Sequence, residues 1–193
     1  ARGHRMGQER DPENIALWRW RARRLEAEAI RDALLATSGQ LTHAAGGKSD
    51  DEKTSQRRSL YVLQKRDQLP EVQRLFDGAS ANEPCSRRHV STVSLQPLYL
   101  LNSPFAVEQT RQFAARVERE VGSEPRRQVE RAFLLTLGRT PSAIEASESL
   151  RLLDESLAAS RTVGSNEAGE GNWTPLELLC QALLNLNEFL QLP

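Results

Sequence analysis

Thr174–Leu190, TPLELLCQALLNLNEFL, decides the fold. Thr174-Pro175-x-Glu177 is a capping box: the threonine hydroxyl accepts from the third helical N–H, the glutamate reaches back to the threonine N–H, and proline occupies the first turn. Behind it, Leu176, Leu178, Leu179, Ala182, Leu183, Leu186, Phe189 and Leu190 cover most of a helical circumference. A helix apolar nearly all round must be surrounded by other elements, which predicts a helical domain with this segment at its centre.

The same grammar recurs toward the N-terminus. Ser142-x-x-Glu145 after Pro141 is a second capping box, opening a helix with Ile144, Leu150, Leu153 and Leu157. Val129, Ala132, Phe133, Thr136 and Leu137 repeat at helical spacing between Ser123 and Gly138. Ser103-Pro104 starts a helix running through Glu120 with Phe105, Phe113, Ala114 and Val117 inward, and Asn102 reads as a hinge. Pro97 is tolerated only in a first turn, so a preceding helix starts near 93–96. A short helix is expected over 69–76, ended by Asp77-Gly78. Leu25, Ala29, Ile30, Ala33 and Leu34 define a helix from Arg24 to Ser38 stopped by Gly39. Asp11-Pro12-Glu13 predicts another over 11–20. The fold class is therefore mainly α, an irregular multi-helix domain. SLYVLQ at 59–64 is the candidate for one short strand pair, or else an extended segment lying over the helices.

Polar, glycine-containing stretches at 40–56 and 161–172 read as mobile loops. Residues 1–23 are arginine-rich and poor in structure signals, which makes them a linker or the truncated end of a preceding domain. The helical domain then occupies 24–193.

Composition narrows function. The chain has 193 residues, 38% of them hydrophobic, and 26 basic groups balance 26 acidic ones. A zero net charge provides no global field toward nucleic acid or an anionic membrane. No apolar run approaches the ~20 residues of a membrane helix.

No complete catalytic or metal-binding constellation is present. Cys85-x-x-x-His89 is at best half a metal site, since zinc takes three or four converging ligands. Cys85 and Cys180 fit neither a zinc knuckle nor a Cys-x-x-Cys redox pair; buried free thiols and a single disulfide are both compatible with them. No phosphate loop, dinucleotide fingerprint or Cys-x-x-Cys-His haem site occurs, so no cofactor is expected in this chain. Arg19 to Arg24, interleaved with Trp20, has the composition of a single-strand nucleic-acid contact. It equally describes tryptophans docked on the core with arginines paired to Glu26 and Glu28, which zero net charge favours.

Five blocks carry a resemblance: DPENIALWRWRARRLEAEAIRDALLATSG, RRSLYVLQKR, CSRRHVSTVSLQPLYLLNSPF, QVERAFLLTLGRTPSAIE and LCQALLNLNEFLQLP. In this order they resemble the C-terminal domain of unknown function of large planctomycete-type exported proteins. The resemblance implies a parent protein whose other domains are the partners of this one, often including a c-type cytochrome domain that holds haem c. It implies a periplasmic or extracellular location, where a Cys85–Cys180 disulfide becomes feasible. Arg88, Thr92, Gln96 and Asn102 fit the family signature, either lining a pocket or bracing a helix junction. His89 departs from the pattern, where Asn is usual, which weakens a ligand role for it.

The leading reading is a non-catalytic structural or interaction module. One rival is part of an enzyme, hydrolytic in the leading version, completed by N-terminal domains; it predicts a concave pocket containing Arg88, Thr92 and Gln96. The other is nucleic-acid binding through Arg19–Arg24.

Overall fold

The computed structural model describes Gly7 and residues 9–19, 23–162 and 173–192. Its elements are β1 (Arg23–Arg24), α1 (Ala27–Ser38), a 3-10 turn (Ser59–Tyr61), α2 (Glu71–Leu75), α3 (Leu95–Asn102), α4 (Pro104–Val121), α5 (Pro125–Leu137), α6 (Ala143–Thr162), α7 (Pro175–Leu184), α8 (Asn187–Leu190) and β2 (Gln191–Leu192). The fold is mainly helical with one two-stranded antiparallel sheet.

α4 and α7 form the centre. α4 packs on α1, α3, α5 and α7, while α7 also contacts α5, α6 and α8. One apolar core runs from Ala27 and Ile30 on α1 through Phe113 and Val117 on α4 to Leu183 on α7 and Phe189 on α8. Both capping boxes form: Glu177 N–H donates to Thr174 Oγ1 at 3.2 Å and Glu145 N–H to Ser142 Oγ at 3.3 Å. At α5 the cap is Glu124, whose carboxylate accepts from the Arg126 and Arg127 N–H groups.

Polar side chains complete the joints between helices. Pro104 has no N–H for the Leu100 carbonyl, so the helix break between α3 and α4 leaves that carbonyl without its helical donor. Buried Gln181 on α7 supplies one, Nε2 donating to Leu100 O at 2.8 Å, while its Oε1 accepts from Thr110 on α4 at 2.5 Å. At the other end of α1, Gly39 adopts φ 77° and Arg116 of α4 donates to the Ala36 and Thr37 carbonyls, each at 2.9 Å.

Two expectations are corrected. The strand pair is not at 59–64: Arg23 and Arg24 pair instead with Leu192 and Gln191, bringing the two ends of the described domain together. Segment 59–64 lies over α1, because Asp32 captures Ser59 through both its N–H and its hydroxyl at 2.7 Å and closes a 3-10 turn. Val62 is buried while Leu60, on the same face of a hypothetical strand, is 65% exposed. Over 11–19 there is no helix. Asn14 and Leu17 take positive φ, and the Asp11 carboxylate caps a turn by accepting from Ile15 and Ala16 N–H.

Loop 40–56 has no regular structure but is tied to α1 by Arg31, whose fork donates to Glu52, Ser55 and Arg57 carbonyls. Arg57 in turn stacks 4.0 Å from the Tyr61 ring and donates to the Ala44, Gly46 and Lys48 carbonyls. The loop expected at 161–172 lies outside the described residues, apart from the end of α6.

Candidate functional site

The site is built on the helix stop after α2. Gly78 N–H donates back to Gln73 O at 2.6 Å, and the residue before the glycine, Asp77, is left-handed with φ 59°. Aspartate tolerates that conformation better than most side-chain-bearing residues. The turn aims its carboxylate at two segments distant in sequence. It accepts from Arg24 Nη2 at 2.5 Å and from both the N–H and hydroxyl of Ser91 at 2.8 Å. Burial pushes the Asp77 carboxyl up, but these bonds outweigh it and hold the group below the ordinary carboxylate range.

Arg24 is the hub. Nη1 donates to Ser91 O and, at 3.2 Å, to Gln96 Oε1; Nη2 also reaches Phe76 O at 3.2 Å. Its guanidinium lies 5.7 Å from the Phe76 ring centroid. Buried Gln96 donates to Leu75 O at 3.0 Å and Ser91 O at 3.3 Å. The thirteen residues of irregular chain between Asp77 and Ser91 are thus closed at both ends on one arginine. The same loop is pinned again by Arg88, which donates bidentately to Glu28 on α1 at 2.5 and 3.0 Å. For Glu28, burial is again the upward influence, overcome by the Arg88 bonds.

Between β1 and this loop opens a groove of about 810 Å³. Phe76 and Asp77 contribute to its lining, and Arg23, Arg24, Arg87 and Arg88 all border it.

The signature residues divide. Arg88 and Gln96 both brace the loop, but only Arg88 lines the groove; Thr92 and Asn102 are exposed and border it nowhere. The pocket of Arg88, Thr92 and Gln96 required by the enzyme reading is therefore not assembled. The sequence does not single out Asp77 and Ser91 as partners, and Arg24 and Glu28, read there as a nucleic-acid candidate and a partner for Arg19–Arg24, meet Asp77 and Arg88 instead. Asp77-Gly78 was legible as a helix stop, and nothing in the sequence linked it to Arg24.

Of the described nucleic-acid candidates, Arg23 and Arg24 both line the groove. Arg19 stacks 5.1 Å from the centroid of its neighbour Trp18, and Arg24 is committed to Asp77. Trp20, Arg21 and Ala22 lie outside the described residues. Among the described residues no group of three or more His, Cys, Asp or Glu converges to hold a metal.

Cys85 and Cys180 are both free thiols, one exposed in the groove wall and one fully buried on α7. Burial pushes the Cys180 thiol up, away from the reactive thiolate. Reduced protein treated with iodoacetamide is expected to alkylate at Cys85 only, with Cys180 reacting after denaturation. Mass analysis showing two modified thiols in native protein would contradict this placement.

Helix packing and groove define a class: a mainly α-helical domain closed by a two-stranded sheet, with an arginine-lined cleft beside that sheet. Residues 2–153 match the family model of a protein of unknown function, DUF1553 (PSD1), and the chain belongs to that family. The match ends within α6, although α7 and α8 contribute to the same core. No curated protein and no solved structure matches the chain.

Proposed function

We propose that this chain is a non-catalytic structural and interaction module at the C-terminus of a larger exported protein of the planctomycete type. Its partners are other domains of that parent, a c-type cytochrome domain among them, and any haem c belongs to the parent. The location is periplasmic or extracellular. The five sequence blocks support this reading, and so does the use made of the signature. Arg88 and Gln96 spend their polar groups on loop and helix carbonyls or on Glu28, which is bracing.

The observation that carries the interaction role is the outer side of α3. Leu95, Leu98 and Leu101 recur every third residue and are 57%, 49% and 43% exposed, with Val93 just before them at 43%. The opposite side, Gln96, Tyr99 and Leu100, is buried. Side chains three apart lie on one helical face, so these leucines form an apolar strip that a partner surface can cover.

The test is a Leu98→Asp, Leu101→Asp variant, assayed by sedimentation with the remaining domains of the parent. Because both residues are exposed, stability should stay within about 0.5–1 kcal/mol of the original. Association should weaken at least ~10-fold, the equivalent of ~1.4 kcal/mol. Undiminished association would rule out this strip as the contact.

A further inference from the structure

The groove beside β1 has a property that bracing does not use. Four guanidinium groups line it against two carboxylates, Glu26 and Asp77, in a chain whose net charge is zero. Two of the four are committed: Arg24 to Asp77, and Arg88 to Glu28 and Glu26. Arg23 and Arg87 are exposed, and among the described residues neither side chain has a hydrogen-bond or ion-pair partner.

Their backbones are nonetheless held. Arg23 is paired with Leu192 in the sheet, and Arg87 adjoins Arg88, which is anchored to Glu28 by two hydrogen bonds. Both free forks therefore project from restrained chain beside the same cleft, and less order is lost when a ligand engages them. Behind them, Arg24 and Arg88 are neutralised by Asp77, Glu28 and Glu26, so the net positive charge at the groove comes from Arg23 and Arg87, and the Arg24 Nε is buried without a partner. A guanidinium presents two parallel N–H donors that match the oxygens of a carboxylate, sulfate or phosphate. The groove also includes Leu25, Phe76 and Val90, and its volume exceeds what one inorganic ion fills.

We propose that the groove between β1 and loop 85–90 binds an organic ligand through an oxyanion head group, with Arg23 and Arg87 as its recognition residues. Arg24 and Arg88 are positioning residues that hold the walls through their bonds to Asp77 and Glu28. The ligand's apolar body rests against Leu25 and the exposed Val90. This site is separate from the α3 strip, and loss of either leaves the other intact.

The experiment is calorimetric titration of the whole chain with benzoate, phenyl sulfate and phenyl phosphate, probes that share one ring and differ in head group. Phenol is the uncharged control. Low ionic strength is used, because exposed charges are screened beyond ~10 Å at 0.1 M salt. At least one anionic probe is expected to saturate, with phenol showing no saturable heat; the tightest of the three identifies the head group. In an Arg23→Ala, Arg87→Ala variant, affinity is expected to fall at least ~10-fold. Its melting temperature should be unchanged, since neither side chain has a partner to lose. No saturable binding by any anionic probe, affinity equal to that of phenol, or full affinity in a normally folded double variant would each overturn the proposal.

Discussion

Replacing Arg31 by methionine is expected to lower stability by ~3 kcal/mol or more, although the residue does not line the groove and, among the described residues, its charge faces no carboxylate at hydrogen-bond distance. Arg31 sits on α1 at 2% exposure, and its fork supplies donors to three carbonyls of the adjoining loop: Ser55 at 2.5 Å, Arg57 at 3.0 Å and Glu52 at 3.3 Å. Its guanidinium also lies 5.4 Å from the Phe105 ring centroid. Methionine retains the length and apolar stem but supplies no donor. The Ser55 bond is buried and the other two are partly so; a buried carbonyl left unsatisfied costs about 1–3 kcal/mol, and a partly exposed one recovers some of that from water. Burial already disfavours the charged side chain and lowers its proton affinity, so removing the charge recovers part of that cost. The balance remains unfavourable because three acceptors lose donors at once. In a chain of this size ~3 kcal/mol corresponds to a melting-temperature fall of about 6–12 °C. Urea unfolding measures the loss, and hydrogen exchange should show amides over 50–59 opening faster than those of α4. A loss below ~1 kcal/mol would mean that water replaces the fork and that the loop does not depend on it.

The second large effect is at Asp77, where charge and backbone conformation can be separated. Asp77→Ala removes the acceptor for Arg24 and Ser91 and puts an unsuitable residue at φ 59°. About 3 kcal/mol of stability should be lost, since a partly buried arginine loses its counter-ion and a left-handed alanine adds ~1 kcal/mol of strain. Asp77→Gly relieves the strain but not the missing charge, so it should be about 1 kcal/mol less damaging than alanine. Asp77→Asn keeps size and turn preference and isolates the charge.

The pH dependence has a definite sign. The Asp77 pKa is lowered on folding, so its carboxylate contributes stability that is present above the unfolded value near 3.9 and is lost as pH falls through the folded value. Glu28, Glu120, Glu145 and Glu188 are lowered too and share the acid limb. Asp77→Asn should therefore flatten that limb by one group without abolishing it. An unchanged slope between pH 5 and pH 2, measured by urea unfolding, would show that Asp77 is not coupled to folding.

Helix positions were legible because their signals are local. Thr174 and Glu177, or Ser142 and Glu145, meet within one turn, and proline or glycine acts on its own backbone wherever the rest of the chain lies. The helix expected over 11–20 failed for an equally local reason: Asp11 capped a turn, while Asn14 closed on Arg19 through its side-chain amide. Half-legible was the signature run. Arg88 and Gln96 could be singled out as polar groups needing partners, but those partners come from α1, β1 and the end of α2.

The sequence by itself determined the helical class, most helix ends and the central place of the last long helix, because caps, proline and apolar periodicity act over a few residues. Tertiary structure alone decided that residues 23–24 pair with 191–192, that Arg24 and Asp77 close a loop ending at Ser91, and that four arginines meet at one groove. Such contacts join segments tens to more than a hundred residues apart. They form only when the shared core has brought those segments together, so no local pattern records them.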